Sequence, residues 1–206
     1  MDIRDYWVPF TGPNDDQHWS QFIEARDATF KGFAQREASQ GFINPAVSVK
    51  TTHGQEMVRI LAMRVLEELA EAHQSADDDH FFEELIDAFN YLLSLHMFVK
   101  PEALEIYLAH ISKTSLGFKW KGETRPTLKY YDLGECVIAL GNNLGDELRN
   151  RAWMLNTQNS YFDGDMEKIL LPVYSLILGF FKDFQHFATF FMAKDAVLQF
   201  RLRSSY

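Results

Sequence analysis

An all-α fold is what this sequence predicts, and three observations predict it. Apolar positions recur at three- and four-residue spacing along almost the whole chain. No stretch shows the sustained apolar–polar alternation, bounded by turn residues, that a strand would carry. No low-complexity segment or Gly/Ser linker divides the chain, so its 206 residues read as a single domain, residues 1–206. Hydrophobic residues make up 47% of the sequence, and the 18 phenylalanines supply bulky material for a substantial core.

Residues 1 to about 15 read as irregular, punctuated by Pro9, Gly12, Pro13 and Asn14. A helix opens behind an Asp/Asn cap in "DDQHWSQFIEARDATFKGFAQRE", and "SQGFINPAVSVKTTHG" reads as the loop that follows it. The next helix runs from about Gln55 to Gln74 and stops at the acidic turn "SADDD". Another continues from near His80 to about Val99, and Pro101 stands where a first helical residue would, opening "PEALEIYLAHISKTSL". "FKWKGETRPTLKYYDLGE" reads as a loop with a local run of positive charge at Lys119, Lys121, Arg125 and Lys129.

The remaining elements are a helix around Glu135 to Asn156, a polar turn "NTQNSYFDGD", and a long apolar segment from Met166 to about Leu202 with Pro172 near its start. Residues 130–206 read either as a degenerate copy of the preceding helices or as a chance likeness. "YLAHISKTSLGFKWK" and "FFMAKDAVLQFRLR" each place an aromatic-rich helix before a Lys and further basic residues, but the second copy lacks the acids discussed below.

A formal net charge of −9 argues against a broad basic surface for a nucleic-acid polymer, while leaving room for one polyphosphate ligand held through a metal. Cys136 is the single cysteine, the N-terminus "MDIRDYWVPF" lacks a signal pattern, and a cytoplasmic protein is the expectation. Apolar stretches such as "ILLPVYSLILGFF" are too short and interrupted to span a bilayer, so no membrane role is expected.

The chemistry concentrates in "RVLEELAEAHQSADDDHFFEELIDAFNYLLSL", Arg64 to Leu95. Two helical segments each carry carboxylates three residues apart, Glu68 with Glu71 and Glu84 with Asp87. Glu68 extends the apolar row of Met57, Leu61 and Val65, so an acid stands where packing wants a hydrophobe. Glu84 and Asp87 border the row of Ala88, Tyr91 and Leu95.

One acidic pair on a helix is usually a solvated face. Two pairs on consecutive helices joined by a tight turn would converge in an antiparallel hairpin and repel unless a cation sat among them. Hard oxygen ligands in that number suit Mg²⁺, with Mn²⁺ as the alternative. A di-iron bundle needs Glu-x-x-His, and the residues three on are Glu71, Gln74, Asp87 and Asn90. The chain has no His-Asp dipeptide, and its seven scattered histidines read as structural.

The pattern Glu-Glu-x-x-Glu, a spacer, then Glu-x-x-Asp, here "EELAE" at Glu67 to Glu71 and "EELID" at Glu83 to Asp87, resembles the signature of the all-α nucleoside triphosphate pyrophosphatases. These include the MazG proteins, the dimeric dUTPases and the phage dCTP/dUTP pyrophosphatases. "DAFNYLL" and Lys113, at the distance where the phage enzymes place a helix bearing Lys, extend the likeness over about residues 55–125. The family follows its Lys with two Asn and an Arg, whereas Thr114, Gly117 and Trp120 stand here.

The resemblance implies an antiparallel helical bundle of the MazG/dimeric dUTPase type. It also implies Mg²⁺-dependent hydrolysis of a nucleoside triphosphate, a dNTP such as dUTP or dCTP, to the monophosphate and pyrophosphate. Carried onto this sequence, the metal ligands are Glu68, Glu71, Glu84 and Asp87, with Glu71 as general base and Glu67 as the other candidate. Asn90 is placed to touch sugar or base, and Lys113 to neutralise the departing phosphates. Lys119 with Lys121, or Lys194 with Arg201 from "KDAVLQFRLRSSY", would supply the missing charge. A homodimer is implied, or a monomer if the second half serves as the internal partner. The alternative function is a nucleotide-binding or protein-interaction bundle that keeps the scaffold without turnover.

Overall fold

The computed structural model describes residues 19–37, 49, 51–99, 104–113, 117–148 and 166–204. Among them all regular structure is helical. The elements are α1 (Trp19–Glu37), α2 (Thr52–Gln74), α3 (Asp78–Val99), α4 (Leu104–Lys113), α5 (Tyr130–Val137), a π-helical stretch (Ile138–Asn143), α6 (Leu144–Glu147), α7 (Met166–Gly179) and α8 (Phe184–Ser204). Pro101, the expected start of α4, and the polar turn "NTQNSYFDGD" lie outside the described residues.

The hairpin α2–α3 is the most extensively packed pair, and only Ser75, Ala76 and Asp77 join its helices. Helix α2 starts earlier than periodicity suggests because Thr51 caps it, its hydroxyl accepting from the Gly54 backbone N–H at 3.0 Å. Asp77 acts in the same way at α3, accepting from the His80 N–H at 3.4 Å. Along α2, Met57, Leu61 and Val65, the apolar row legible in the sequence, are all buried, and Val58 and Leu69 are buried beside them.

Helix α3 is the central element, packed by α1, α2, α7 and α8. Phe81, Leu85, Phe89 and Leu92 are fully buried, each worth about 1.5–3 kcal/mol relative to exposure. Such all-round burial explains why α3 reads as apolar on more than one face. The α5–π–α6 stretch lies against α7, and α5 also against α2.

The apolar segment that begins at Met166 is two helices. It breaks after Gly179, and the Asp183 carboxylate accepts from the His186 N–H at 2.8 Å to start α8. Gly117 closes the chain against the end of α4, where a Cβ would lie 2.7 Å from the Ile111 carbonyl oxygen.

The loop 117–129 is pinned on several sides. Trp120 stacks on Phe82 with centroids 6.0 Å apart, and the Lys182 ammonium sits 4.4 Å from the Trp120 ring centre. Arg125 donates to Asp78 at 2.6 Å and lies 3.9 Å over the Phe81 ring. His73 Nδ1 meets the Leu128 carbonyl at 2.7 Å. Of the basic run in this loop, Arg125 is spent on α3 and Lys119 on α7, where it donates to the Ser175 hydroxyl.

Candidate metal centre

Residues three apart on a helix lie on one face, so α2 presents Glu68 and Glu71 together, and the hairpin sets α3 beside them. One carboxylate oxygen from each of Glu68, Glu71 and Glu84 lies within 4.8 Å of the other two. Two oxygens on opposite sides of a single Mg²⁺ are about 4.2 Å apart, twice the metal–oxygen distance. Only one pair of the trio can take that trans spacing, and the other two pairs would draw in to about 3 Å on an octahedral ion, a closure that flexible Glu side chains have to supply.

Burial grades across the trio, with Glu84 buried, Glu68 half-buried and Glu71 exposed. The centre is a rim site that opens to solvent on the Glu71 side. Burial, a hydrogen bond with Glu84, and the charges of Asp87, Glu84 and Glu71 push the Glu68 carboxyl up to about 8. Burial is the largest part of that rise, and the neighbouring acids add to it. His80 Nδ1 lies 3.1 Å from a Glu84 oxygen at the outer edge.

Asp87, expected as a fourth ligand, is engaged elsewhere. The Lys194 ammonium from α8 sits 2.5 Å from Asp87 and 2.7 Å from Glu83. Burial raises the Asp87 pKa and Lys194 counteracts that, with Glu84 and Glu83 adding to the rise. For Lys194, burial works against the charge, but Asp87 and Glu83 outweigh it and hold the ammonium above its ordinary value. Lys194 is 4% exposed.

The other expected site residues divide. Glu67 is exposed on α2 and pairs with Arg64 at 2.7 Å, outside the trio. Asn90 is buried, and its backbone carbonyl accepts from Arg26 Nε at 3.1 Å and from the Ser94 hydroxyl at 2.9 Å. Lys119 donates to the Ser175 hydroxyl of α7 at 2.8 Å. Lys113 is exposed on the outer face of α4, beside a shallow hollow lined with Glu105, Ile106, Ala109 and His110. Helix α4 meets α3 at His96 through Tyr107, on a different side of α3 from Glu84 and Asp87. Arg201 is exposed, two turns beyond Lys194.

Arg26 and Tyr91 were not singled out by sequence reasoning. Arg26 is buried, donates also to the Ser94 hydroxyl at 2.9 Å, and feels the charges of Asp87 and Asp195. Its signal is a row, since Trp19, Phe22, Arg26 and Thr29 follow 3-4-3 spacing and all four are buried. Tyr91 follows Asp87 by one turn, and burial with the Glu68 charge raises its phenol, leaving an O–H beside the acids. Cys136 is no nucleophile, because burial pushes its thiol up to about 12.

Comparison with protein-family models, curated proteins and solved structures found no match for the chain. Among the described residues, no helix is long and apolar enough to cross a membrane.

The perturbed carboxyl makes a pH prediction. Glu68 titrates near 4.5 when unfolded and near 8 when folded, so its contribution to stability is full below the lower value and lost as pH rises through the upper. His186 runs the other way, lowered to about 4 by burial and by Lys182, so its contribution is present above 6.5 and lost as pH falls. Of these two, only Glu68 acts between about pH 6.5 and 8. In EDTA the unfolding temperature is expected to fall across that window, and saturating Mg²⁺ to flatten the fall. A flat profile without the cation would contradict this electrostatic picture.

Proposed function

We propose that the protein is a Mg²⁺-dependent nucleoside triphosphate pyrophosphohydrolase that converts a dNTP, such as dUTP or dCTP, to the monophosphate and pyrophosphate. The observation that carries this reading is the convergence of Glu68, Glu71 and Glu84 from a hairpin whose acid spacing resembles that of the all-α pyrophosphatases. Glu68, Glu71 and Glu84 would hold the ion. When bound, the ion supplies charge neutralisation to the phosphates and lowers the pKa of water.

The chain's own part follows from exposure and charge. Glu71 faces solvent and is the member of the trio open to an attacking water. As the water oxygen joins phosphorus, Glu71 takes its proton and the bridging P–O bond breaks, so that pyrophosphate leaves with the bond electrons. Glu67 is the weaker candidate because Arg64 already holds it. The Tyr91 hydroxyl is close enough to feel Glu68 and supplies a hydrogen-bond donor at the rim.

A second reading is a binding bundle without turnover, and the Lys194–Asp87 pair favours it, because that pair withdraws the expected fourth carboxylate. Incubation with a panel of dNTPs and Mg²⁺ separates the two. The pyrophosphatase reading expects monophosphate and pyrophosphate in equal amounts, abolished by EDTA. Intact nucleotides, or release of orthophosphate with diphosphate, would count against it.

For assembly we favour a monomer over a homodimer, because α1, α7 and α8 of the same chain already cover α3. Sedimentation distinguishes them.

A further inference from the structure

Resting on the metal-centre reading above, we infer that the Lys194 ammonium is a built-in cation standing where a second divalent ion would otherwise be recruited. The centre then binds one Mg²⁺ or Mn²⁺, at Glu68, Glu71 and Glu84.

Five carboxylates crowd this end of the hairpin, namely Glu68 and Glu71 from α2 with Glu83, Glu84 and Asp87 from α3. They form two groups. Three have oxygens mutually within 4.8 Å, and the other two share Lys194 Nζ at 2.7 and 2.5 Å. Lys194 lies on a row of α8 with Phe184, Phe187 and Phe191, all buried. A lysine on a phenylalanine row mirrors Glu68 on its aliphatic row, and the two rows bring their charged members to the same end of the bundle.

A tie between α8 and α3 does not by itself need a charge, since well-packed apolar side chains usually serve stability as well as a buried ion pair or better. Lys194 and two acids also leave one negative charge uncompensated beside three more. That makes four negative charges at this end of the hairpin, of which a single divalent ion from solution offsets two. Because the ammonium is 4% exposed and already touches both acids, a second ion could enter only by expelling it.

The test is a count of bound Mn²⁺ on the full chain, with unfolding temperature measured alongside. The wild-type protein is expected to bind one Mn²⁺. Lys194→Met, which keeps the stem and removes the charge, is expected to bind a second ion, and Mn²⁺ should raise its unfolding temperature more than that of the wild type. Asp87→Asn, which removes a charge that acts on Glu68 but not a ligand, is expected to weaken Mn²⁺ binding by less than the about 10–100-fold that loss even of an outer-shell partner to a metal costs.

Two ions on the wild type, or a first ion weakened about 10-fold or more in Asp87→Asn, would overturn the inference and leave the metal centre standing. A count of one in folded Lys194→Met with no added thermal shift would do the same. No Mn²⁺ on the wild type would overturn the metal-centre reading itself. If Lys194→Met folds only with Mn²⁺ present, the inference is supported. If it folds under neither condition, the wild-type count and Asp87→Asn decide.

Discussion

Glu68→Gln is expected to lower Mg²⁺-dependent pyrophosphate release about 10²–10³-fold, the usual scale for removing one electrostatic contributor to a transition state. The same change is expected to raise the unfolding temperature in EDTA at pH 8. Glu68 is an acid on an apolar row, half-buried and pushed up to about 8 by burial, by Glu84 and by its acidic neighbours. A neutral amide of nearly the same shape removes that repulsion. Opposite changes in activity and stability are the pattern of a residue retained for chemistry at a cost to the fold. Loss of stability together with activity would instead make Glu68 a structural residue.

The second large effect falls in the aromatic core. Trp19→Ala is expected to destabilise the protein by about 3–5 kcal/mol, measured by urea denaturation. The Trp19 ring is fully buried, with centroids 6.0 Å from Phe22, 6.0 Å from Phe89, 5.2 Å from Phe184 and 5.4 Å from Phe187. Its indole N–H also donates to the Ser112 hydroxyl at 3.3 Å, so α1, α3, α4 and α8 all meet at this one side chain. Against a typical total of about 5–15 kcal/mol, the loss is a large share. A change below about 1 kcal/mol would mean that α1 does not dock as described.

The helices that periodicity marked most clearly, α2 and α3, are where it placed them, because each has an uninterrupted apolar face and a short polar turn between. The boundaries moved where a single side chain decides them, at Thr51 for α2 and at Asp183 for α8. The π-helical Ile138–Asn143 had no sequence signal. At the candidate site, the convergence of Glu68, Glu71 and Glu84 was legible because three- and four-residue spacing fixes faces.

Which acid would be taken by an internal cation was not legible. Lys194 lies far along the chain from Glu83 and Asp87, and periodicity within one helix says nothing of pairing between distant helices. A trace was present, since Arg26 and Lys194 each stand on a row of buried aromatics as Glu68 stands on an aliphatic row. Basic residues at such positions predict a buried partner, though not which one.

Mn²⁺ binding compared among the wild type, Glu68→Gln and Glu67→Gln tests the central claim most directly, that the hairpin carboxylates form a divalent-cation site. Saturable binding is expected for the wild type, retained in Glu67→Gln, whose carboxylate is held by Arg64, and lost in Glu68→Gln. Equal Mn²⁺ affinity in all three proteins would contradict it.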